Sequence, residues 1–220
     1  MSNFNVKSRF HNYNVSFVDN SLDIIKSEVK KNDVIIIDTN VKNFHPEFFK
    51  EISRNNLAIE VEAIEKNKSY KELIPVIELL IQNGFRKNHR LIGVGGGIIQ
   101  DITAFISSIM YRGVNWILFP TTLLAQGDSC IGSKTSINFN EYKNQLGGFY
   151  PPNEIYIDTN FLILTFPLED TDQATIEPQS CPTIVRLLFS CSVFINFSIS
   201  NDKFSILKSL TIELSTDESG

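Results

Sequence analysis

The feature that most constrains this chain is a strand, three glycines and a helix start in immediate succession. An apolar run ends at Val94, Gly95, Gly96 and Gly97 follow, and a helix-like segment begins at Ile98 and continues to about Met110. Glycines let the backbone approach an anion closely, and the first turn of a helix offers unpaired N–H donors at the positive end of its dipole. The residues alone are consistent with a pyrophosphate seat or with a purely structural turn. The dinucleotide fingerprint G-x-G-x-x-G is incomplete, because Gly93 and Gly95 fit it but Ile98 stands in place of the third glycine.

Around this unit, strand and helix patterns alternate. Tyr13–Phe17 alternates as a strand, Asn20 or Ser21 is placed to cap a short helix reaching about Val29, and residues 34–37 form a continuous apolar strand ending in Asp38-Thr39-Asn40. Pro46–Ile52 reads as a helix and Leu57–Val61 as a strand. Residues 70–81 form an amphipathic helix with Leu73, Val76, Ile77 and Leu80 on one face, stopping before Gly84. A strand at 116–119 ends in Pro120-Thr121-Thr122, and after the stiff pair Pro151-Pro152 the run NEIYID at 153–158 supplies one more. The expected fold is α/β and Rossmann-like, a largely parallel sheet flanked by helices on both faces.

Composition narrows the function. A formal net charge of -5 and a pI near 5.3 argue against a nucleic-acid surface, and the only basic run is Lys30-Lys31. The mean hydropathy of -0.03 is that of a globular chain. Cys130, Cys181 and Cys191 show no C-x-x-C spacing, so unpaired thiols in a reducing compartment are the simplest reading. The N-terminus lacks the apolar core of a signal peptide, and a cytoplasmic location is expected. No apolar stretch is long enough to span a membrane.

Polar groups collect at the strand ends, each with two readings. Asp38 and Asn40 suit acceptors for ribose hydroxyls, or an Asx turn and helix cap. Glu65 and Lys68, read without further context, are solvated charges. Arg112 suits a helix C-terminus, Asp128 the cap of the next helix, and Lys134 and Lys143 the surface. Yet Asp128, Ser129, Lys134, Lys143 and Asn144 all follow one strand end within about twenty-five residues, where open α/β sheets bind ligands.

The successive motifs GGGIIQD, YRG, PTTLLAQGDS, GSKTSIN and YKNQLGGFYPP resemble the 3-dehydroquinate synthase family of NAD-dependent sugar-phosphate cyclases, in the family's order, with the likeness covering roughly residues 34–162. The resemblance implies an N-terminal NAD-binding domain over residues 1–162. It assigns Asp38, Asn40, Glu65 and Lys68 to the adenosine part of NAD, Gly96, Gly97 and Asp101 to its pyrophosphate region, and Thr121, Thr122 and Lys143 to the cofactor. Arg112, Asp128, Lys134 and Asn144 fall to a phosphorylated heptulosonate, whose anionic ends Arg and Lys neutralise while Asp orients a hydroxyl. The implied reaction converts 3-deoxy-arabino-heptulosonate 7-phosphate to 3-dehydroquinate and phosphate, in the shikimate pathway of aromatic amino-acid biosynthesis. The implied partners are this small molecule, no nucleic acid and no membrane, with a homodimer allowed. Gln100, Ser133 and Gly127 depart from the family's usual residues and leave open a cyclase of another sugar phosphate. A non-catalytic NAD-binding or dimerisation module is a third reading.

The family also uses a divalent metal, zinc or cobalt, held by one Glu and two His of a C-terminal helical domain. Here the histidines are His11, His45 and His89, all upstream of the glycine loop, so these ligands have no counterpart in the sequence. The likeness stops after IDTNFL. The segment 163–220 is divergent, including the strand-like SCSVFINFSIS, and a frameshift or truncation is the expectation against a native, divergent short protein.

Overall fold

The computed structural model describes residues 3–162, and the tail, with Cys181 and Cys191, lies outside them. Strands β1 (Asn3–Val6) and β2 (Tyr13–Phe17) lead to helix α1 (Ser21–Glu28), β3 (Val34–Asp38), the short α2 (Thr39–Phe44), α3 (Pro46–Ile52), β4 (Leu57–Val61) and α4 (Tyr70–Gln82). Then follow β5 (Leu91–Gly95), α5 (Gly97–Ile109), β6 (Trp116–Pro120), α6 (Leu123–Gly127), the pair β7 (Ile137–Phe139) and β8 (Tyr142–Leu146), and β9 (Glu154–Ile157). The sheet order is β1-β2-β9-β6-β5-β3-β4. Only β1 runs antiparallel to its neighbour in this sheet, and β7 and β8 form a separate antiparallel hairpin.

Strand residues buried on both faces alternate between two cores. Ile36, Leu91, Trp116 and Leu118 join α4 and α5 through Leu73, Leu80, Ile99, Ile102 and Ile106. On the opposite face Ile35, Ile37, Ile92, Val94, Ile117 and Phe119 meet Ile25, Phe48 and Ile52 of α1 and α3. A period of two in the side chains is what puts neighbours in sequence on opposite faces. Gly93 points toward α5, where an added Cβ would lie 2.8 Å from Thr103 Oγ1, so helix and sheet pack backbone-close.

Local chemistry fixes the ends. The Asn20 side chain caps α1 by accepting from the Leu22 amide. Asp158, just past β9, accepts from both the amide and the hydroxyl of Ser21 at 2.7 Å. At the other end of the strands, Arg90 grips the buried Asp33 through two nitrogens, at 3.0 and 2.5 Å. Asn153 locks β9 to β6, its amide donating to the Trp116 carbonyl at 2.8 Å and its side-chain oxygen accepting from the Trp116 amide at 3.0 Å. Pro75 is the sixth residue of α4, so it removes the N–H that would reach the Lys71 carbonyl four residues back, and the helix still runs on past it to Gln82.

Candidate functional site

Because β3, β4, β5 and β6 are parallel, their carboxyl ends share one edge. In register, Asp38 faces Val61, Ile37 faces Val94 and Gly95 faces Pro120. The chain moves outward from β3 to β4 and then returns to the other side of β3 as β5, so the strand order reverses between β3 and β5. The crevice outside such a reversal is where open α/β sheets take ligands.

The glycine loop opens on this crevice. Gly96 is the N-cap of α5 and no side chain bonds to the helix start. The first-turn amides therefore keep their donors for another partner. Close packing accounts for two of the glycines: a Cβ on Gly95 would lie 2.6 Å from Ile99 Cγ1, and one on Gly96 would lie 2.9 Å from Thr122 Cγ2. Gly97 differs, since its added Cβ would meet nothing nearer than Ser129 Oγ at 3.9 Å. The Thr121 amide ties β6 to the loop by donating to the Gly95 carbonyl at 3.0 Å. Thr122 caps α6, its hydroxyl accepting from the Ala125 amide at 3.3 Å.

Asp38 is buried and caps α2, accepting from the Asn40 amide at 2.9 Å. The cap reading of this residue is thus correct in geometry, and Asn40 itself is exposed. Burial pushes the Asp38 carboxyl above its ordinary pKa, partly offset by hydrogen bonds from the amides of Asn40 and Ala63.

A charged cluster lies beside the loop. The Lys68 ammonium donates to Asp101 Oδ2 and to Asn144 Oδ1, each at 2.8 Å, and Glu65 Oε1 stands 4.0 Å away. The Lys68 side chain is only 8% exposed and that of Asp101 19%, which overturns the solvated reading of Lys68. Its amine is turned inward to two oxygen partners, which satisfy the buried donor. Burial pushes the Asp101 carboxyl above the usual range, while Lys68 and Lys134 pull it down and Glu65 pushes it up. Glu65 is held below the usual range, first by its hydrogen bond from Asn138 and then by Lys68 and Lys143.

Glu65, Lys68, Asp101 and Asn144 are thus joined directly, and Lys134 and Lys143 act on them through charge. Lys134, Lys143 and Asp128 are exposed. Asp128 occupies the cap of the 3-10 turn Ser129–Ile131 but makes no side-chain cap bond, contrary to the capping reading. Arg112 stands apart from the cluster, in the 3-10 turn Met110–Arg112. It shares a left-handed run with Tyr111 and Gly113, at φ 49, 62 and 102 for residues 111–113. Two successive non-glycine residues in this region are strained, and such strain concentrates at functional sites.

Two residues that tie the site together were not assigned to it from the sequence. Asn138 sits in β7, and Gln100 in α5 donates to the Ser129 carbonyl at 2.7 Å and accepts from its hydroxyl at 3.1 Å. The Gln100 pairing packs the Asp128-bearing turn against the loop helix. Among the described residues no group of three or more His, Cys, Asp and Glu is arranged to hold a metal ion. His11 meets the Pro152 carbonyl, His45 packs edge-on against Phe161, and His89 Nδ1 accepts from the Arg86 amide. The described residues do not fit a metal centre. Cys130 is buried and its thiol is pushed up to about 12 by burial, which disfavours the thiolate. No described helix is long and apolar enough to cross a membrane.

The parallel strand order with its reversal between β3 and β5 defines a Rossmann-like α/β domain, with the glycine loop at the carboxyl ends of its strands and the Lys68 cluster beside it. A family model described as 3-dehydroquinate synthase N-terminal matches residues 58–172. The chain belongs to the 3-dehydroquinate synthase family. It is 34% identical over 165 residues to the 3-dehydroquinate synthase of Pelagibacter ubique, covering 71% of this chain and 45% of that protein. Over 121 residues it is 43% identical to the enzyme of Dictyoglomus thermophilum, covering 52% of this chain and 34% of the other. The chain spans less than half the length of these relatives. A solved 2-deoxy-scyllo-inosose synthase, complexed with carbaglucose-6-phosphate, NAD+ and Co2+, shares the fold with a TM-score of 0.65 at 23% identity, covering 73% of this chain and 46% of that one. A 2-epi-5-epi-valiolone synthase from Streptomyces hygroscopicus, with NAD+ and Zn2+ bound, gives 0.61 at 26% identity, covering 68% and 43%.

Proposed function

We propose that this chain is the cofactor-binding part of a 3-dehydroquinate synthase, with residues 1–162 as its NAD-binding domain. The observation that carries the proposal is the uncapped α5 start behind Gly96, at the strand-order reversal beside the Lys68 cluster. In this reading the amides after Gly96 and Gly97 hold the pyrophosphate, with Asp101 nearby through Lys68. Asp38 and Asn40 receive the ribose hydroxyls, Glu65 and Lys68 line the cofactor, and Thr121, Thr122 and Lys143 complete its cradle. Arg112, Lys134, Asp128 and Asn144 bind the phosphate, carboxylate and hydroxyls of the heptulosonate phosphate. When bound, NAD would supply a hydride acceptor and donor for transient oxidation of a ring hydroxyl. The side chains of this chain bind and orient; no step is assigned to a metal, because the described residues do not fit one.

A cyclase of another sugar phosphate is the second reading, favoured by the buried Gln100 and its two bonds to Ser129 where the family's usual residue is glycine. A cytoplasmic location and a homodimer belong to the same proposal.

Calorimetric titration with NAD tests it. Saturable binding is expected, and Gly97→Val should weaken it at least tenfold, about 1.4 kcal/mol, with an unchanged far-UV spectrum. An added Cβ at Gly97 would meet nothing nearer than Ser129 Oγ at 3.9 Å, so the substitution enters on the open side of the loop. Absent binding, or equal affinity in the variant, would overturn the cofactor seat.

A further inference from the structure

We infer that Asn138 is a positioning residue, whose carboxamide holds Glu65 and the Lys143-Asn144 bend in the one arrangement that receives a dinucleotide. The inference rests on the NAD reading above. Asn138 is buried, and four of its polar contacts reach three residues of the cluster. Its Nδ2 donates to Glu65 Oε1 at 2.8 Å and to the Glu65 carbonyl at 3.3 Å. Its Oδ1 accepts from the Asn144 amide at 2.8 Å, and its own amide donates to the Lys68 carbonyl at 2.8 Å.

The geometry explains why a side chain is needed there. The hairpin β7-β8 has only an irregular register, with a shift between Ile137 and Phe139, and β8 is largely exposed. Asn144 has φ 55, a left-handed conformation that a regular ladder would not impose. Its amide is instead fixed by Asn138 Oδ1, and its side-chain oxygen then meets the Lys68 ammonium at 2.8 Å. One carboxamide therefore ties the 3-10 turn Glu65–Asn67 to the strand that carries Lys143 and Asn144. The effect of Asn138 therefore runs through the residues it holds, Glu65, Lys68 and Asn144. The lowered pKa of Glu65, whose first cause is this hydrogen bond with Lys68 and Lys143 secondary, agrees with the arrangement.

Asn138→Ala and Asn138→Asp in the full chain test it, with the Glu65 carboxyl followed by carbon-13 NMR and NAD affinity by calorimetry. Asp keeps the acceptor but removes the donor and sets a second carboxylate against Glu65. In both variants the Glu65 titration should move to higher pH, and NAD affinity should fall at least tenfold, more than the melting temperature would suggest. An unmoved Glu65 titration, or unchanged affinity alongside a moved one, would overturn the inference. Should both variants fail to fold, amide exchange in the wild-type chain decides: the Asn144 amide is expected to be protected although its strand is exposed, and rapid exchange there would overturn the inference. If wild-type chain does not bind NAD, the cofactor reading fails, and with it the role of Asn138 in receiving a dinucleotide; the Glu65 titration and Asn144 exchange then separate a hairpin clamp from no clamp at all.

Discussion

Gly95→Ala is expected to lower stability by about 2–3 kcal/mol, the upper part of the roughly 1–3 kcal/mol typical of forcing a methyl into a packed core. The added Cβ would stand 2.6 Å from Ile99 Cγ1, 2.7 Å from Ile99 Cβ and 3.2 Å from Asp38 Cβ. Ile99 is fully buried and its Cβ is fixed to the first turn of α5, so no flexible tip can yield. The helix start must move off the sheet, and the loop moves with it. For a domain of this size, each kcal/mol corresponds to roughly 2–4 °C in Tm, so a fall of about 4–12 °C in a thermal melt is expected. Gly97→Ala is the control. Its Cβ meets nothing within 3.9 Å, and replacing glycine in a helix is neutral to stabilising by up to about 1 kcal/mol. Equal melting of Gly95→Ala and wild type would show that the loop does not pack against Ile99 as described.

Lys68→Met is expected to cost about 2–4 kcal/mol at neutral pH and to weaken NAD binding more than tenfold. Removing one partner of a buried pair strands the other charge, at about 3–5 kcal/mol when burial is complete, and Asp101 retains some exposure. The loss should depend on pH. The folded pKa of Asp101 already lies above its ordinary value because of burial, with Lys68 holding it down. Without Lys68 it rises further. Between the unfolded and folded values the native state binds more protons than the unfolded one, so stability falls as pH rises through that window. Urea denaturation should therefore find a larger deficit at pH 7 than at pH 4.5, and adding Asp101→Asn should restore most of it. A deficit independent of pH would contradict the pairing.

What the sequence disclosed and what it hid follow from burial. The βα unit at 91–110 was legible because a strand buried on both faces reads as an apolar run and glycines punctuate it. Helix α4 was legible through the spacing of Leu73, Val76 and Leu80, all buried. Several elements were not foreseen, β1, α2 and the β7-β8 hairpin among them. β1 is a four-residue edge strand, NFNV, with no fully buried position to mark it. Helix α2 is six residues long and its cap, Asp38, read equally as a turn. The hairpin β7-β8 hid because β8 is exposed along most of its length and lacks a period of two. Its one usable signal was Asn140, at φ 52 in the two-residue turn between the strands.

The site followed the same rule. Residue type alone left Lys68 a surface charge, because its burial depends on Asp101 and Asn144, 33 and 76 positions away in sequence. Only the resemblance to a family put these residues in one place. Asn138 escaped both routes, since a single asparagine within a short strand carries no periodic or motif signal.

The most direct test of a dinucleotide seat at these strand ends is amide-resolved NMR of the chain titrated with NAD. Saturable shifts are expected for the amides of Gly96, Gly97 and Ile98 and for those around Asp38, Thr122 and Lys143, with little change at the opposite strand ends near Asp33 and Arg90. Saturable shifts confined to other surfaces, or none at these amides in a folded chain, would contradict it.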